Sequence, residues 1–159
     1  MKLSSQEEYG LRCLVQLGRK GPGGSLTIAE MSQLEGISAP NVAKIMRVLR
    51  KSGLVKSTRG QAGGYALARP AAEVPVSEIL GALGGRLFDQ TFCERHAGLA
   101  SLCTNLGDCS IRPVLREIQS AVDQVLSALT LKSLLLTERE VSVSVSPRAI
   151  PLPLLPRPS

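Results

Sequence analysis

Three thiols crowd one stretch of the chain. In CERHAGLASLCTNLGDC, Cys93, Cys103 and Cys109 follow the spacing C-x9-C-x5-C. Thiolates are soft donors that suit zinc, iron and iron–sulfur clusters. Zinc sites typically present close pairs such as C-x2-C or C-x4-C, and this stretch has none. Ferredoxin spacings are also tighter than this. A loop with wide gaps can still wrap a cluster, because Gly98 and Gly107 permit sharp bends. Cluster ligation is therefore the leading chemistry, with zinc and unligated thiols as the alternatives. His96 is the only histidine and stands three residues after Cys93; it reads as an exposed loop residue. Cys13 lies mid-helix beside Leu14 and reads as a buried small apolar residue. One histidine and no paired acid–base motif give no basis for an enzyme.

The second chemistry is electrostatic. Residues 1–70 carry 11 Lys/Arg and 4 Asp/Glu, a balance of +7, whereas residues 71–159 carry 8 and 9, a balance of −1. Between Lys44 and Arg59 lie six basic residues and no acidic one. A local field of that kind suits a polyanion. The alternative is a solvated basic face. Aromatic content is only 3%, so the core must be aliphatic. No apolar run approaches the ~20 residues that span a bilayer, and MKLSSQEEYG lacks the apolar block of a signal peptide. The expectation is a soluble, cytoplasmic protein with no membrane partner.

These groups need elements to position them. Ser4 or Ser5 can cap a first helix, with Glu7 or Glu8 as the capping-box partner. Leu11, Leu14, Val15 and Gly18 recur at helical spacing, and Gly18 with GPGG at 21–24 ends the helix. Thr27 caps a short helix through Leu34 that Gly36 stops. Ser38 caps the next, with Pro40 in its first turn. Val42, Ile45, Met46 and Leu49 form its buried stripe, and Asn41, Lys44, Arg47 and Lys51 lie on other faces. Residues 27–53 thus follow the helix-turn-helix pattern. LVKST and GYALA are short β-capable runs joined by RGQAGG, which reads as a hairpin, or wing. A phosphate-binding P-loop would need Lys-Ser/Thr after its glycines. Here Tyr65 and a strand follow them. VPVSEILGALGG, 74–85, reads as a small helix capped by Ser77, and the cysteine-bearing stretch as an irregular loop.

A long helix then begins near Arg112, with Pro113 in its first turn. Its wide apolar face runs through Val114, Leu115, Ile118, Ala121, Val122, Val125, Leu126 and Leu129. Such a face beside a small domain needs a partner, and a second copy supplies one most simply. The expected fold class is mainly α with a small β-hairpin wing. The expected units are a winged helix-turn-helix domain over 1–85, a cluster-binding loop over 86–111, a dimerisation helix over 112–137 and a disordered Pro-rich tail over 138–159. Ile118, Val122, Val125 and Leu129 are the expected dimer contacts.

Over roughly residues 1–137 the pattern resembles the IscR/NsrR-type (Rrf family) iron–sulfur transcription regulators of bacteria. The likeness rests on MKLSSQEEYGLR, on GIS and the helix after it, on RKSGLVKSTRGQAGGYALA, on the cysteine cluster and on LTLKSLL. The resemblance implies a homodimer crossed by its long helices that binds double-stranded DNA at a palindromic operator, typically as a repressor. It implies an iron–sulfur cluster near the dimer interface, 2Fe–2S favoured over 4Fe–4S, that controls DNA affinity in response to redox state, nitric oxide or iron status. It places the base-reading helix at Ser38 to Arg50, with Ser38, Pro40, Asn41 and Lys44 near its DNA-facing start and Arg47, Arg50 and Lys51 beyond. It places Arg59 in a minor groove, with Gly60, Gly63 and Gly64 allowing close approach. Two residues depart from the pattern. Ala43 stands where some members carry an acidic reader, and Arg112 occupies the place of a ligating histidine.

Cys93, Cys103 and Cys109 leave one cluster position unfilled. Arg112 cannot serve, since a guanidinium stays protonated. Glu8 matches the place where NsrR-type members carry an acidic ligand donated by the opposite subunit; its alternative role is the capping-box partner of Ser5. The competing function is a cluster-free dimeric regulator of the same fold that responds to thiol oxidation or a small molecule.

Overall fold

The computed structural model describes residues 3–58, 63–89, 91–95, 103, 105 and 107–145. Helix α1, Ser5–Arg19, is opened by Ser4. The Ser4 hydroxyl accepts from the Glu7 N–H, and the Glu7 carboxylate accepts from the Ser4 N–H at 2.7 Å. Glu7, not Glu8, is therefore the capping-box partner. The helix runs through Gly18 rather than stopping there, because the Lys20 N–H still reaches the Gln16 and Leu17 carbonyls.

Helix α2, Ile28–Glu35, starts with a second capping box, Thr27 with Glu30. It ends at Gly36, whose φ of 65° only glycine adopts freely. Helix α3, Ala39–Lys51, follows after the tight turn. Ser38 precedes it but makes no side-chain capping bond; Pro40, pre-set to helical φ, starts the helix instead. The α1–α2 angle is pinned by one carboxylate. Glu35 accepts from Arg12 Nε at 2.6 Å and from Gln16 Nε2 at 2.5 Å, both on α1.

The wing is an antiparallel pair, β1 Val55–Thr58 and β2 Gly64–Leu67, with Val55 opposite Leu67 and Thr58 opposite Gly64. A third segment joins it through Leu26. The Leu26 N–H donates to the Tyr65 carbonyl at 3.0 Å, and the Tyr65 N–H to the Leu26 carbonyl at 2.8 Å. That pairing explains Gly64: a Cβ there would lie 2.5 Å from the Leu26 carbonyl oxygen. Gly64 thus has an internal packing reason beside its expected approach to DNA.

Helix α4, Val76–Leu83, starts after Pro75, so Ser77 lies inside it rather than capping it. One helical turn, α5 (Phe92–Arg95), interrupts the cysteine loop. The long helix α6 spans Ile111–Ser127. LTLKSLL does not continue it: Leu131–Leu135 form a 3-10 turn. The Leu131 N–H donates to the Val74 carbonyl at 2.8 Å and the Val76 N–H to the Leu129 carbonyl at 3.0 Å. Leu131 is fully buried in the same aliphatic core as Cys13, Leu14, Met31, Val42, Met46 and Leu49. The winged body therefore extends past residue 85 and includes the segment after α6. Within the expected tail lies helix α7, Glu138–Ser144, opened by a capping box of Thr137 and Glu140; residues 146–159 lie outside the described residues.

Gly64→Ala forces a methyl against the Leu26 backbone. Overpacking of this kind costs about 1–3 kcal/mol. A lowered urea midpoint, with little change in far-ultraviolet circular dichroism, is the expected result.

Candidate nucleic-acid interface and cysteine loop

The basic surface begins with the periodicity of α3. Val42, Ile45, Met46 and Leu49 are buried. Pro40, Lys44, Arg47 and Lys51 recur at helical spacing on the opposite face, with Asn41 and Arg50 on its two flanks. All six are exposed, as is Ser38. Elsewhere four arginines are paired: Arg12 with Glu35, Arg69 with Glu78, Arg86 with Asp123 and Arg95 with Asp89. Among the described residues, Lys44, Arg47, Arg50, Lys51 and Lys56 have no carboxylate within 4.0 Å. The sequence explains why, since no Asp or Glu occurs between Glu35 and Glu73. Four unpaired cations on α3 and Lys56 on β1 repel one another in the free protein and gain from a polyanion. Gly63 is exposed at the wing. Arg59 and Gly60 lie outside the described residues.

Cys93 sits in α5, and Cys93, Cys103 and Cys109 are each half-buried and free of disulfides. As a donor set, three free thiols on one loop suit iron and sulfur. Among the described residues, the structure brings no three His, Cys, Asp or Glu side chains together at one point. His96 lies outside the described residues. Cys13 is fully buried, and burial pushes its thiol up to about 11. It stays protonated and takes no part in ligation. Glu8, with its side chain 62% exposed, is held only loosely by Arg12 at 3.6 Å. Its carboxylate faces solvent on α1, clear of the capping role.

The loop is latched to α6 by a residue that the sequence reading overlooks. Gln119 is 7% exposed. It accepts from the Phe88 N–H at 3.0 Å and donates to Asp123 Oδ1 at 2.8 Å. Asp123 also pairs with Arg86. The available signal was a lone amide beside Leu115, Val122 and Leu126 on an otherwise apolar arc, since buried amides come with partners.

Helix α6 carries a second apolar face. Ile111 is 62% exposed, Val114 57%, Ile118 42% and Val125 51%. Their spacing places them on one stripe. Val122 and Leu126 turn instead toward a groove they share with Leu3, Leu80 and Leu87, and Leu129 is half-buried at the junction with the body. Of the four expected dimer contacts, Ile118 and Val125 therefore lie on the open stripe and Val122 and Leu129 beside it.

The architecture has counterparts. A family model described as an iron-dependent transcriptional regulator, Rrf2, matches residues 3–137. A protein named Rrf2 from Nitratidesulfovibrio vulgaris is 32% identical over 135 residues, covering 85% of this chain and 87% of that protein. The T. potens IscR structure superposes with a TM-score of 0.66 at 28% identity, over 85% of this chain and 86% of that one. CymR, the global cysteine regulator of B. subtilis, superposes with a TM-score of 0.68 at 27% identity, over 85% of this chain and 96% of that one. No helix among the described residues is long and apolar enough to cross a membrane.

Proposed function

The chain belongs to the Rrf2 family of transcriptional regulators, and from that premise we propose that it is a homodimeric repressor whose affinity for a palindromic operator is set by an iron–sulfur cluster. The relatives are DNA-binding regulators rather than enzymes. The observation that carries the DNA-reading part is the acid-free basic face of α3. Lys44 and Arg47 stand where a helix seated in the major groove meets base edges, and Asn41 offers the paired donor and acceptor that adenine takes. Arg50, Lys51 and Lys56 contact phosphates, which fix register rather than sequence. Arg59, which lies in sequence between the two wing strands, is proposed to enter the minor groove.

Cys93, Cys103 and Cys109 hold the cluster, with Glu8 of the second subunit at the fourth position. When bound, the cluster supplies one-electron chemistry and a site for iron loss or nitric oxide attack. A carboxylate is a harder ligand than thiolate, so the Glu8 corner is the labile one. The latch from Phe88 through Gln119 to Asp123 carries a change in the loop to α6. Two copies crossing along α6 then convert that change into the spacing of two α3 helices. Control of this kind requires an element with two arrangements that both sites bias.

A second reading has its own support. No three donors converge among the described residues, and CymR is named a cysteine regulator. On that reading the loop thiols respond to oxidation without a cluster. Iron and acid-labile sulfide in anaerobically purified protein separate the two. The cluster reading expects both in wild type, loss of both in Cys103→Ser and Cys109→Ser, and an altered absorption spectrum or shorter lifetime in Glu8→Ala. Iron-free, sulfide-free wild type favours the thiol reading.

For the interface, the measurement is affinity for a palindromic duplex selected from a random library, across a salt series. Each lost phosphate contact flattens the log affinity–log salt slope by about 0.9. Lys51→Ala is expected to show that change and to weaken all sequences alike. Arg47→Ala is expected to relax base preference at about 1–3 kcal/mol of discrimination. Unchanged slopes and preferences in both variants would contradict the assignment.

A further inference from the structure

We propose that the groove between α4 and α6 is the slack that lets the long helix shift on the winged body, and that Gly81 keeps the space for that shift. This rests on the regulator reading above and names the element with two arrangements which that reading requires. Helix α6 packs along α4, yet a groove of about 500 Å³ is left between them. Its walls are Leu80 and Gly81 from α4, Val122 and Leu126 from α6, and Leu3 and Leu87. Protein interiors are close-packed, with few voids larger than a water molecule, so a gap of this size marks a contact that is not filled. The other side of α4 is tight. Ile79 and Leu83 are buried in the core, and the Leu83 carbonyl accepts from Gln6 Nε2. A Cβ at Gly10 would lie 2.4 Å from Leu83 Cδ1. Helix α4 also packs on α3. It is therefore held firmly on the DNA-reading side and loosely toward α6.

Gly81 has no explanation in this one arrangement. Glycine inside a helix is destabilising relative to alanine, and Gly81 stands in the interior of α4, Val76–Leu83. Its φ is not positive, and a Cβ there would meet no described atom within 4 Å. Gly10 and Gly64, by contrast, are each pressed by a neighbour. An arrangement with α6 closer to α4 supplies the reason, because the distance between packed helices depends on the side chains at their contact. The attachments of α6 set how it moves. Its C-terminal end is tied to the body: the Val76 N–H donates to the Leu129 carbonyl at 3.0 Å, and the Leu131 N–H to the Val74 carbonyl at 2.8 Å. Its middle is tied to the cysteine loop, where Gln119 accepts from the Phe88 N–H. A change at the loop thus swings α6 about Leu129 and opens or closes the groove, and α4 passes the shift to α3. Closure takes Leu80, Val122 and Leu126 out of water, which is favourable. Packed contacts of this kind are bistable rather than continuously deformable, so a small shift is amplified.

The test is the operator affinity of the full-length protein, read by anisotropy in paired states: cluster-loaded against cluster-free, and before against after the thiol oxidant diamide. Wild type is expected to change affinity by about 5–150-fold across one of these pairs. Gly81→Leu fills the open groove. It is expected to stay folded and dimeric in sedimentation and to bind alike in both states, at one of the two wild-type affinities. Gly81→Ala favours the helix and fills less, so it is expected to raise the urea midpoint and narrow the ratio. If Gly81→Leu fails to fold, Gly81→Ala carries the comparison. A folded, dimeric variant that keeps the wild-type ratio overturns the inference alone, as does one that binds more weakly than either wild-type state. A wild type whose affinity is the same in every state overturns the regulator reading and the inference together.

Discussion

Helix α6 has two apolar faces, and a single chain covers only one. The inner face packs on α4 and runs into the buried Leu131. The outer face leaves Ile111, Val114, Ile118 and Val125 between 42% and 62% exposed. A Val or Ile gains about 1.5–3 kcal/mol when fully buried, so four such residues on one stripe leave a large driving force unspent. On the proposed function, a second copy covers that stripe, and the pairing would set the distance between two DNA-reading helices. The rest of the account depends on this constraint.

The charges are segregated to match. Between α1 and α2 the ions are paired, as Arg12 is with Glu35, which fixes the α1–α2 angle without adding net charge. The face of α3 pairs none of its cations, which keeps them available to phosphate. The groove beside Cys93 mixes both signs, with Arg86, Arg112 and Arg116 beside Asp89 and Asp123. These are three electrostatic settings in one chain, and each suits the element that carries it.

Much of this was legible in the sequence, and the places where it was not share a cause. The helix-turn-helix, the wing and the long helix follow from periodicity and from Gly36, Thr27 and Pro40, all local signals. Local signals also misled. Gly64 reads as a glycine for DNA approach, and the sequence gives no hint of its packing against Leu26, nearly forty residues away in the chain. Ser77 and Gly18 looked like helix ends, yet backbone bonds and packing carry both helices past them. Gln119 reads as an ordinary polar residue until the Phe88 N–H is placed against it. The donor chemistry of the cysteine loop was legible from residue type alone. Where its thiols lie relative to one another depends on contacts that no spacing rule encodes, and among the described residues no three donors meet.

The central claim, that the outer face of α6 joins two copies and so creates an operator-binding unit, has a direct test. Sedimentation equilibrium of wild type and Val125→Glu, with anisotropy on a palindromic duplex, reads both halves of it. A buried unpaired carboxylate in an apolar seam is strongly unfavourable. The account predicts a wild-type dimer that binds the two half-sites as one unit, and a Val125→Glu chain that is monomeric or aggregated and has lost that binding. A Val125→Glu protein that remains dimeric and binds the duplex with wild-type affinity would contradict it.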